Sequence, residues 1–540
     1  MRVPPHVLLT GSSAASFDFF LSGRHGILPG MEQDVLPLDQ LLARQAERIP
    51  RKTFVKFEGR KYSFRDMDRL ASLFASHLLG RGMERGERVA ILSGNRHEYV
   101  AAYFGIIRAG GIVLPVNNLL THEEVDFILT DAGVRTVFYD EECAGTMRRL
   151  EENRAYRCFS LTAVAGGPAA LFALPDRSQT AIDDVSTILY TSGTTGRPKG
   201  ALLTHRNLLA NATAGTQAFR VTGRDRFVVF LPLFHSFTYT VCVVIPLVTG
   251  AMLSLLPGVK PFQRVVKSLI IDRITLFVAI PTVYKILADK DMPWFVKALL
   301  RLRLCVSGAA PLPPKVIREF EAVFRVPLRE GYGLTEASPV VSINPVEPEL
   351  NRPGTVGLPL PGISVRVVDD AGRDLPTGMP GELLVRGPNV MKGYLNRPED
   401  TERAIRDHWL YTGDIASLDE SGYIKIIDRK KDLIIVDGLN VYPYEVEEVL
   451  YRHPAVQDCS MIGVQHEHEE GKELGIMYVV LREGARATAR DLREYLGKHV
   501  AHYKIPRRFL FSGELPRTAT GKIMKKELRV WFREREMKHP

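Results

Sequence analysis

Strand-like and helix-like patterns alternate along most of this sequence, and this order limits the folds open to it. Apolar residues recur at helical spacing over 64–78, and an apolar run over 88–92 is typical of a buried strand. Residues 97–109 again follow a helical pattern, which ends at two glycines. The same order returns over 275–287 and again from Leu302. Repeated βαβ units of this kind predict an α/β fold built on parallel sheets.

The pattern changes in the C-terminal part of the chain. Over 363–394, short strand patterns are joined by Gly and Pro turns, which predicts an antiparallel β subdomain after the parallel part. The charged run 429–432 then marks a boundary, and a small α+β domain is expected over 433–540. The predicted large domain covers 36–428, and 1–35 form an N-terminal extension to which no role is assigned.

Three elements of the small domain can be predicted from apolar spacing. An amphipathic helix is expected over 446–453 and a strand over 477–481. A terminal helix is expected to carry Ile523, Leu528 and Trp531 on its apolar face. These elements are enough for a separate small core.

Length and composition agree with several domains of ordinary globular type. The 540 residues exceed what one hydrophobic core usually supports, and 45% hydrophobic with 25% charged residues excludes global disorder. The five cysteines are widely spaced and odd in number, so neither a disulfide framework nor a cysteine metal site is predicted. We therefore expect a reducing compartment, the cytoplasm.

The net charge of +9 is concentrated near the C-terminus, where 498–540 hold 12 Lys/Arg against four Asp/Glu. The first interpretation is a solvated helical face, and the second is a surface for an anionic partner such as a phosphorylated cofactor or an acidic acyl carrier protein. Nucleic acid ranks last, so no nucleic-acid partner is predicted. A homodimer and a peripheral contact with a membrane are left open.

One long apolar segment raises the question of a membrane span. Residues 227–259 contain no Asp, Glu, Lys or Arg, and their length alone would permit a span. Pro232, Pro246 and Pro257 divide the segment, which favours a buried α/β core without a transmembrane helix. The first residues lack a continuous apolar stretch, so we expect no signal peptide.

The segment 190–200 carries the most informative local chemistry. It directly follows an apolar strand pattern over 185–189 and contains glycines, hydroxyls and Lys199 in a short space. Glycines expose backbone N–H groups to a ligand, hydroxyls donate further hydrogen bonds, and lysine adds a point charge, so the segment suits a polyphosphate. The spacing differs from a Walker A loop. On composition alone, a flexible surface loop is an equal alternative.

This segment resembles the signature of the adenylate-forming acyl-CoA synthetase superfamily, or AMP-binding enzymes. Further segments that resemble the family follow in its order, at 307–312, 330–337, 411–415, 428–432 and 516–523. Together they cover roughly 38–530. The resemblance is strongest to fatty acyl-CoA ligases, and it implies a large α/β domain with an antiparallel subdomain and a small mobile α+β domain.

The resemblance also implies roles for individual residues in binding ATP. The phosphate ligands would be Thr191, Ser192, Gly193, Thr194, Thr195, Gly196 and Lys199. The adenine and ribose ligands would be Gly308, Ala309, Ala310, Gly331, Tyr332, Gly333, Thr335, Asp414 and Arg429. Glu336 and Thr191 would hold Mg²⁺, which takes few protein oxygens when it bridges phosphates. Without the resemblance, Tyr332 would be interpreted as a core tyrosine, Asp414 as a turn residue and Glu336 as a residue on a helix surface.

Other implied roles concern catalysis and the acid. Lys522 matches the mobile lysine of the family, although by composition it is one cation of a basic tail. Lys431 matches the hinge position, and Gly438 would border the thiol channel. His235 would gate the carboxylate end of the acid and act in catalysis, with Ser236 and Thr238 beside it in the acyl pocket. Thr238 stands where fatty acyl-CoA ligases often have glycine.

The implied reaction has two steps. A carboxylate attacks the α-phosphate of ATP to give an acyl adenylate and pyrophosphate, and the thiol of coenzyme A, a substrate, then displaces AMP. Because the surroundings of the predicted pocket are apolar and uncharged, a fatty acid of medium to long chain is favoured over an aryl acid or an amino acid. Two alternatives remain, a ligase for acyl carrier protein and a catalytically silent acyl-nucleotide binding protein.

Overall fold

A computed structural model describes residues 36–153, 156–167, 180–191, 198–290, 293–436, 439–465, 473–518 and 521–538. The N-terminal part of this range alternates helices and strands. The elements are α1 Leu38–Arg48, β1 Thr53–Phe57, β2 Arg60–Ser63, α2 Phe64–Leu79, β3 Arg88–Leu92, α3 His97–Arg108, β4 Ile112–Val116, α4 His122–Asp131, β5 Thr136–Tyr139, α5 Ala144–Asn153, β6 Arg157–Ser160 and α6 Leu161–Ala165. The predictions for 64–78, 88–92 and 97–109 are thereby confirmed.

The central part continues the alternation. Its elements are β7 Val185–Thr191, β8 Lys199–Thr204, α7 His205–Ala218, β9 Arg226–Val229, α8 Ser236–Tyr239, α9 Ile245–Thr249, β10 Met252–Leu255, α10 Phe262–Ile271, β11 Leu276–Ala279, α11 Pro281–Asp289, α12 Trp294–Leu299, β12 Leu304–Ser307, α13 Pro314–Phe324, β13 Leu328–Gly333, β14 Val340–Ile343 and β15 Leu358–Pro359. Local chemistry fixes several helix starts. Thr204, for example, accepts a hydrogen bond from the Asn207 N–H, while the Asn207 side chain accepts from the Thr204 N–H.

Two large sheets form from these strands. Among the described residues, the first sheet has the order β15-β14-β13-β12-β11-β9-β10-β1-β2. Its middle strands, from β13 to β1, are parallel, and helices α10, α11 and α13 pack their apolar sides on one face of it. The second sheet has parallel pairs β4–β3, β3–β5, β5–β6 and β4–β7, while β7 and β8 form an antiparallel hairpin. The predicted α/β fold is confirmed.

The segment 227–259 is broken into short elements inside this core. It contains most of β9, then α8, a π-helical turn Thr240–Val244, α9 and β10. Pro246 lies at the start of α9, and Gly250 ends that helix with a left-handed conformation, φ 74°. In the part of the chain that the structure describes, no helix is long and apolar enough to cross a membrane.

The predicted antiparallel subdomain is present after the parallel sheets. Its elements are β16 Ser364–Val368, β17 Gly381–Arg386, β18 Gly393–Tyr394, α14 Pro398–Ala404, β19 Ile405–Arg406, β20 Trp409–Leu418 and β21 Ile424–Arg429. The order β16-β17-β20-β19, with β21 also on β20, is antiparallel throughout. Strand β18 instead pairs with β8 of the second large sheet. This pairing brings the chain between β17 and α14 to the Lys199 hairpin.

The C-terminal elements have apolar clusters of their own. They are β22 Ile434–Val436, β23 Leu439–Val441, α15 Pro443–Tyr451, β24 Val456–Gln465, β25 Glu473–Leu481, α16 Ala489–Gly497, β26 Arg508–Phe511 and α17 Lys525–Lys538. One cluster lies between β24, β25, α15 and α16, and another lies between the sheet and α17 around Leu528. The terminal helix begins later than predicted. Ile523 precedes it, because this residue bridges Arg517 in a turn, although it still packs on the same cluster.

Candidate active site

The predicted phosphate loop connects the two strands of a hairpin. Thr191 ends β7 and Lys199 begins β8, and the two residues are direct partners in the antiparallel register. Ser192, Gly193, Thr194, Thr195 and Gly196 lie outside the described residues. Lys199 Nζ is 3.0 Å from Asp400 Oδ1 and 5.4 Å from the centre of the Tyr394 ring. The lysine is therefore held on one side of the hairpin by an ion pair and an aromatic face.

Tyr394 joins this lysine to the predicted metal ligand. Its hydroxyl donates a hydrogen bond of 2.9 Å to Glu336 Oε1, and Glu336 lies in a 3₁₀ turn Thr335–Ala337. Burial, and then the charge of Glu336, raise the pKa of Tyr394 well above its ordinary value, so this hydroxyl remains a donor. Neither Tyr394 nor Asp400 could be identified from the sequence, because a lone tyrosine or aspartate after a strand is ordinary. Their role appears only when β18 pairs with β8.

The donor set around Glu336 fits a magnesium ion. Thr191 and Glu336 offer a hydroxyl and a carboxylate, which are hard oxygen donors of the kind Mg²⁺ prefers. Within the described ranges, no group of three or more His, Cys, Asp or Glu side chains could hold a metal by itself. The residues present thus suit an ion whose remaining ligands come from phosphate and water.

The predicted ribose ligands meet across two strands. Asp414 on β20 and Arg429 on β21 are register partners, with Arg429 Nε 3.3 Å from Asp414 Oδ1. The Tyr332 hydroxyl donates to Asp414 Oδ2 at 2.5 Å, and burial together with the Asp414 charge raises the pKa of Tyr332. Asp414 is buried and the Arg429 side chain is half-exposed. A carboxylate acceptor beside a charged donor is the arrangement that a ribose diol requires.

The glycines of the predicted adenine segments have packing reasons of their own. A Cβ on Gly333 would lie 2.2 Å from the Pro339 carbonyl oxygen, and one on Gly331 would lie 3.1 Å from the Ser342 carbonyl oxygen. Both positions therefore need glycine for the close approach of β13 to the next strand. Gly308, which follows β12, faces the ring of Phe237, 3.0 Å from the Cβ it would carry.

Thr335 connects the predicted adenine and ribose segments with the predicted acyl segment. Its Oγ1 lies 3.4 Å from Ser236 Oγ. Ala309 is exposed with a left-handed φ of 68°, and Ala310 is half-buried. Ser307 Oγ is buried and has no hydrogen-bond partner among the described residues.

The mobile-lysine candidate lies beside the ribose pair. Lys522 precedes α17, and a Cβ on the adjacent Gly521 would lie 2.9 Å from Ile280 Cδ1, so this loop packs at the start of α11. The Lys522 residue as a whole is exposed to solvent, yet protein atoms crowd its ammonium group. This desolvation, followed by repulsion from Arg429, lowers the pKa of Lys522 to about 8 although Asp414 opposes the shift. The structure therefore brings together residues that are far apart in sequence.

The predicted hinge, 429–432, consists of Arg429 at the end of β21 and the 3₁₀ turn Lys430–Asp432. Burial and repulsion from Arg429 lower the pKa of Lys431. Asp432 is buried and its Oδ1 lies 3.0 Å from Arg529 of α17. The charged run is thus packed against the C-terminal helix and is more than a solvated linker. Gly438, the predicted thiol-channel residue, lies outside the described residues.

A buried ionic cluster surrounds this turn. Lys525 Nζ is 3.0 Å from Glu447 Oε1 on α15, and both side chains are largely buried. Burial opposes the charge of Lys525, but attraction to Glu447, Asp428 and Asp432 raises its pKa. Asp428 accepts hydrogen bonds from the N–H groups of Arg429 and Tyr444, and burial raises its pKa to about 6.

The predicted acyl segment forms the wall of a small uncharged cavity. His235 caps α8 by accepting a hydrogen bond of 3.3 Å from the Phe237 N–H, and burial lowers the pKa of His235 to about 4, so the ring is neutral at pH 7. The cavity measures about 10 Å³ and is lined by Tyr103, Pro115, Thr187, Leu189, Leu208, Leu233, Phe234, Ser236, Tyr239 and Thr240. Thr238 is buried but is not among these residues.

Two tyrosines that line this cavity were not predicted from the sequence as pocket residues. Tyr103 on α3 and Tyr239 on α8 stack with ring centres 3.9 Å apart, and the Tyr103 hydroxyl hydrogen-bonds Thr187. Tyr103 follows an ordinary helical apolar pattern, so nothing in the sequence distinguished it from a core residue.

The structure brings Lys522 to the predicted ribose ligands Asp414 and Arg429, and it links Lys199 to the predicted metal ligand Glu336 through Tyr394. Family models match over 42–395, as AMP-binding enzyme, and over 445–522, as the C-terminal domain of the same enzymes. A long-chain-fatty-acid–CoA ligase of Bacillus subtilis is 34% identical over 530 residues, covering 91% of this chain and 94% of that protein. A feruloyl-CoA synthase of Amycolatopsis is also 34% identical, covering 91% and 98%.

A solved structure agrees with these relatives. ATP-bound MatB from Rhodopseudomonas palustris superposes with a TM-score of 0.85 at 32% identity, covering 92% of this chain and 99% of that one. The chain belongs to the AMP-binding enzyme family. Within this family it is an acid–thiol ligase that forms coenzyme A esters.

Proposed function

We propose that this protein activates a fatty acid of medium to long chain as an acyl adenylate and transfers it to coenzyme A. Ligases of this AMP-forming class use ATP, Mg²⁺ and coenzyme A. The observation that carries the proposal is the meeting of Lys522 with Asp414 and Arg429, and a second group, formed by Lys199, Tyr394 and Glu336, supports it.

In the first half-reaction, the acid carboxylate attacks the α-phosphate, the bond to the β-phosphate oxygen breaks, and pyrophosphate leaves. Asp414 and Arg429 bind the ribose. Lys199 leaves its ion pair with Asp400 and binds the phosphates of ATP instead. Glu336 and Thr191 would hold Mg²⁺, and the bound ion would neutralise charge at the phosphates. Lys522, protonated below pH 8, is placed to meet the negative charge that builds up at phosphorus.

In the second half-reaction, the thiol attacks the acyl carbon and AMP leaves with the electron pair of the broken mixed-anhydride bond. The proposed domains are a large part over 36–428, a hinge over 429–432 and a small part over 433–540. Lys431 is the proposed pivot, and Gly438 is the proposed neighbour of the thiol. Turning the small part would withdraw Lys522 and open a path for the thiol.

The choice of a fatty acid is supported by two observations. Relatives named long-chain-fatty-acid–CoA ligase match along most of the chain, and the lining of the cavity beside His235 contains no charged side chain. A charged lining would be expected for an amino acid or a dicarboxylic acid. The equally similar feruloyl-CoA synthase makes an aryl acid the principal competitor.

A pyrophosphate-release screen tests the proposal. Aliphatic acids from acetate to stearate are compared with ferulate, benzoate and dicarboxylic acids, first with coenzyme A and then with acyl carrier protein as the thiol. We expect the highest kcat/KM with octanoate or longer acids and coenzyme A. Preference for ferulate would overturn the fatty acid, and preference for carrier protein would overturn the thiol. No release with any acid would instead favour a silent nucleotide-binding protein.

A further inference from the structure

The short turn that carries Glu336 is held by side chains from distant parts of the chain. It is a 3₁₀ turn of three residues, Thr335–Ala337, and Ser338 directly after it has a left-handed φ of 66°. So short a turn has few hydrogen bonds of its own, and a left-handed serine persists only where its surroundings enforce that conformation. The position of the Glu336 carboxylate therefore depends on contacts with other segments.

Two buried asparagines lie one turn apart on the same side of α7 and bind the backbone of two other segments. Asn211 binds both backbone groups of Val340: its Nδ2 donates to the carbonyl oxygen at 2.6 Å, and its Oδ1 accepts from the N–H at 3.1 Å. Asn207 Nδ2 donates to the carbonyl oxygens of Pro388 and Val390, at 2.8 Å each. Because positions i and i+4 of a helix share a face, α7 holds these two segments at a fixed spacing.

A third asparagine, Asn389, connects one of these segments to the turn itself. Its Nδ2 donates a hydrogen bond of 2.8 Å to the Ala337 carbonyl oxygen, and the Met391 N–H donates at 2.8 Å to the Glu336 carbonyl oxygen. Asn211 and Asn389 are each 1% exposed. Water cannot easily replace a donor at such a depth, so loss of either amide leaves a backbone group without a partner. The turn is thus fixed through Asn389 and, a few residues later, through Asn211.

The same helix relates the turn to the lysine of the phosphate loop. Helix α7 begins directly after β8, and β8 begins with Lys199. Strand β18, whose Tyr394 hydroxyl donates to Glu336, pairs with β8 as well. The backbone of Glu336 is therefore held by α7 and its side chain by β18, and both elements are joined to the strand that carries Lys199.

We propose that Asn211 and Asn389 are positioning residues for magnesium: through the backbone of the Glu336 turn, they fix the carboxylate relative to Lys199 and so set the affinity for the ion. Both asparagines act through Glu336, and neither binds the ion or the nucleotide itself. The inference rests on the proposed role of Glu336 as a metal ligand. It is independent of which acid is the substrate.

Leucine variants of the two asparagines test this role, because they remove the amide with little change in volume. In Asn211→Leu and in Asn389→Leu, the Mg²⁺ concentration for half-maximal pyrophosphate release should rise roughly threefold to tenfold, while KM for the acid stays within about twofold of the wild type. Binding of Mn²⁺ to the enzyme with ATP and without acid, followed by the EPR signal of free Mn²⁺, should weaken by a similar factor. Asn389→Ala repeats the test without added bulk.

Asn344→Leu is the matched control. Asn344 is also 1% exposed, donates to the Thr355 carbonyl oxygen at 2.7 Å and accepts from the Arg352 N–H at 3.0 Å, in a loop outside the proposed site. Its loss should lower the melting temperature as much as loss of the other asparagines but leave Mn²⁺ binding unchanged. Thermal melting without metal verifies that every variant is folded.

A double-mutant cycle distinguishes the positioning role from the metal role of Glu336. Glu336→Gln alone should weaken Mn²⁺ binding, and adding Asn389→Leu to it should cause little further loss, since the asparagine acts through that carboxylate. Additive losses, or wild-type Mn²⁺ affinity in both asparagine variants, would overturn the positioning role alone. Unchanged Mn²⁺ binding in Glu336→Gln would overturn the metal role of Glu336 and the positioning role with it.

Discussion

Lys522 is the residue on which the proposed adenylation step depends most. Its ammonium group lies within the fields of Asp414, Arg429 and Lys431, although it belongs to a loop far along the chain. Lys522→Ala should slow pyrophosphate release by roughly 10²- to 10³-fold, by analogy with removal of one charge-stabilising donor. Thioester formation from supplied acyl adenylate should be nearly unchanged, because the charge is needed at phosphorus.

The matched variant is Lys526→Ala, since Lys526 is exposed and lies only four residues further along. It should leave both half-reactions intact. An equal loss of both half-reactions in Lys522→Ala would contradict a role limited to adenylation.

The lowered pKa of Lys522 predicts a pH dependence. Since this pKa is about 8, the side chain is charged below pH 8 and loses its charge as the pH rises through that value. Adenylate formation should therefore fall on the alkaline side with an apparent pKa near 8. Lys522→Arg keeps its charge across this range and should shift the decline to higher pH, whatever its absolute rate. An unchanged profile in the arginine variant would show that another group titrates.

Tyr394 is expected to position Glu336. Tyr394→Phe removes the hydroxyl that donates to Glu336 Oε1 but keeps an aromatic ring beside Lys199. A hydrogen bond to a carboxylate contributes about 1.5–3 kcal/mol, so the Mg²⁺ concentration for half-maximal rate should rise roughly tenfold. A purely structural role would instead lower kcat without changing the Mg²⁺ requirement.

The sequence identified site residues to different degrees. Asp414, Arg429 and Lys522 lie in segments that resemble those of the family, and the structure brings these three residues together. Tyr394 and Tyr103 acquire their contacts only through strand pairing and helix packing between distant segments. Sequence periodicity reports which face of an element is buried, but not which distant element covers it.

At the scale of elements, periodicity predicted helices and strands well wherever one face is buried. The predictions succeed for α2, β3 and α3 because their apolar residues face a single core. The start of α17 was misplaced because Ile523 continues the apolar spacing although it lies in a preceding turn. The ionic cluster under α17 could not be predicted, since its members come from β21, the hinge turn, α15 and α17.

That cluster makes α17 sensitive to a single lysine. Lys525→Met would leave Glu447 and Asp428 buried without their main cation, and breaking a buried pair in this way costs about 3–5 kcal/mol. Chemical denaturation should report this loss in the free energy of unfolding. Lys526→Met, on the exposed side of the same helix, should stay within about 0.5 kcal/mol of the wild type. Similar values for the two variants would contradict a structural role for the cluster.

At the scale of the whole molecule, the loop that contains Gly521 and Lys522 packs against the start of α11, and this packing holds the loop in its observed orientation. Gly521 has φ 81°, and a Cβ there would lie 2.9 Å from Ile280 Cδ1. Gly521→Ala should slow adenylate formation, since a left-handed alanine costs about 1–2 kcal/mol and the methyl group presses on Ile280. Thioester formation from supplied adenylate should be less affected.

Two further variants define this contact. Gly513→Ala has open space around its Cβ and no positive φ, so it should behave like the wild type. Adding Ile280→Val to Gly521→Ala should recover part of the adenylation rate by relieving the steric contact. If Gly521→Ala impairs both half-reactions equally, the loop is not specific to the adenylating orientation.

The position of Arg429 one residue before the hinge turn has a consequence for the fate of the intermediate. Rotation about the 3₁₀ turn Lys430–Asp432 of the proposed hinge would move the chain that follows and leave the pairing of β20 with β21 in place. Under the proposed mechanism, Asp414 and Arg429 keep their hold on the nucleotide while Lys522 departs. The acyl adenylate then stays bound through its AMP moiety between the two half-reactions. This retention protects the activated acid from release and hydrolysis without a separate lid.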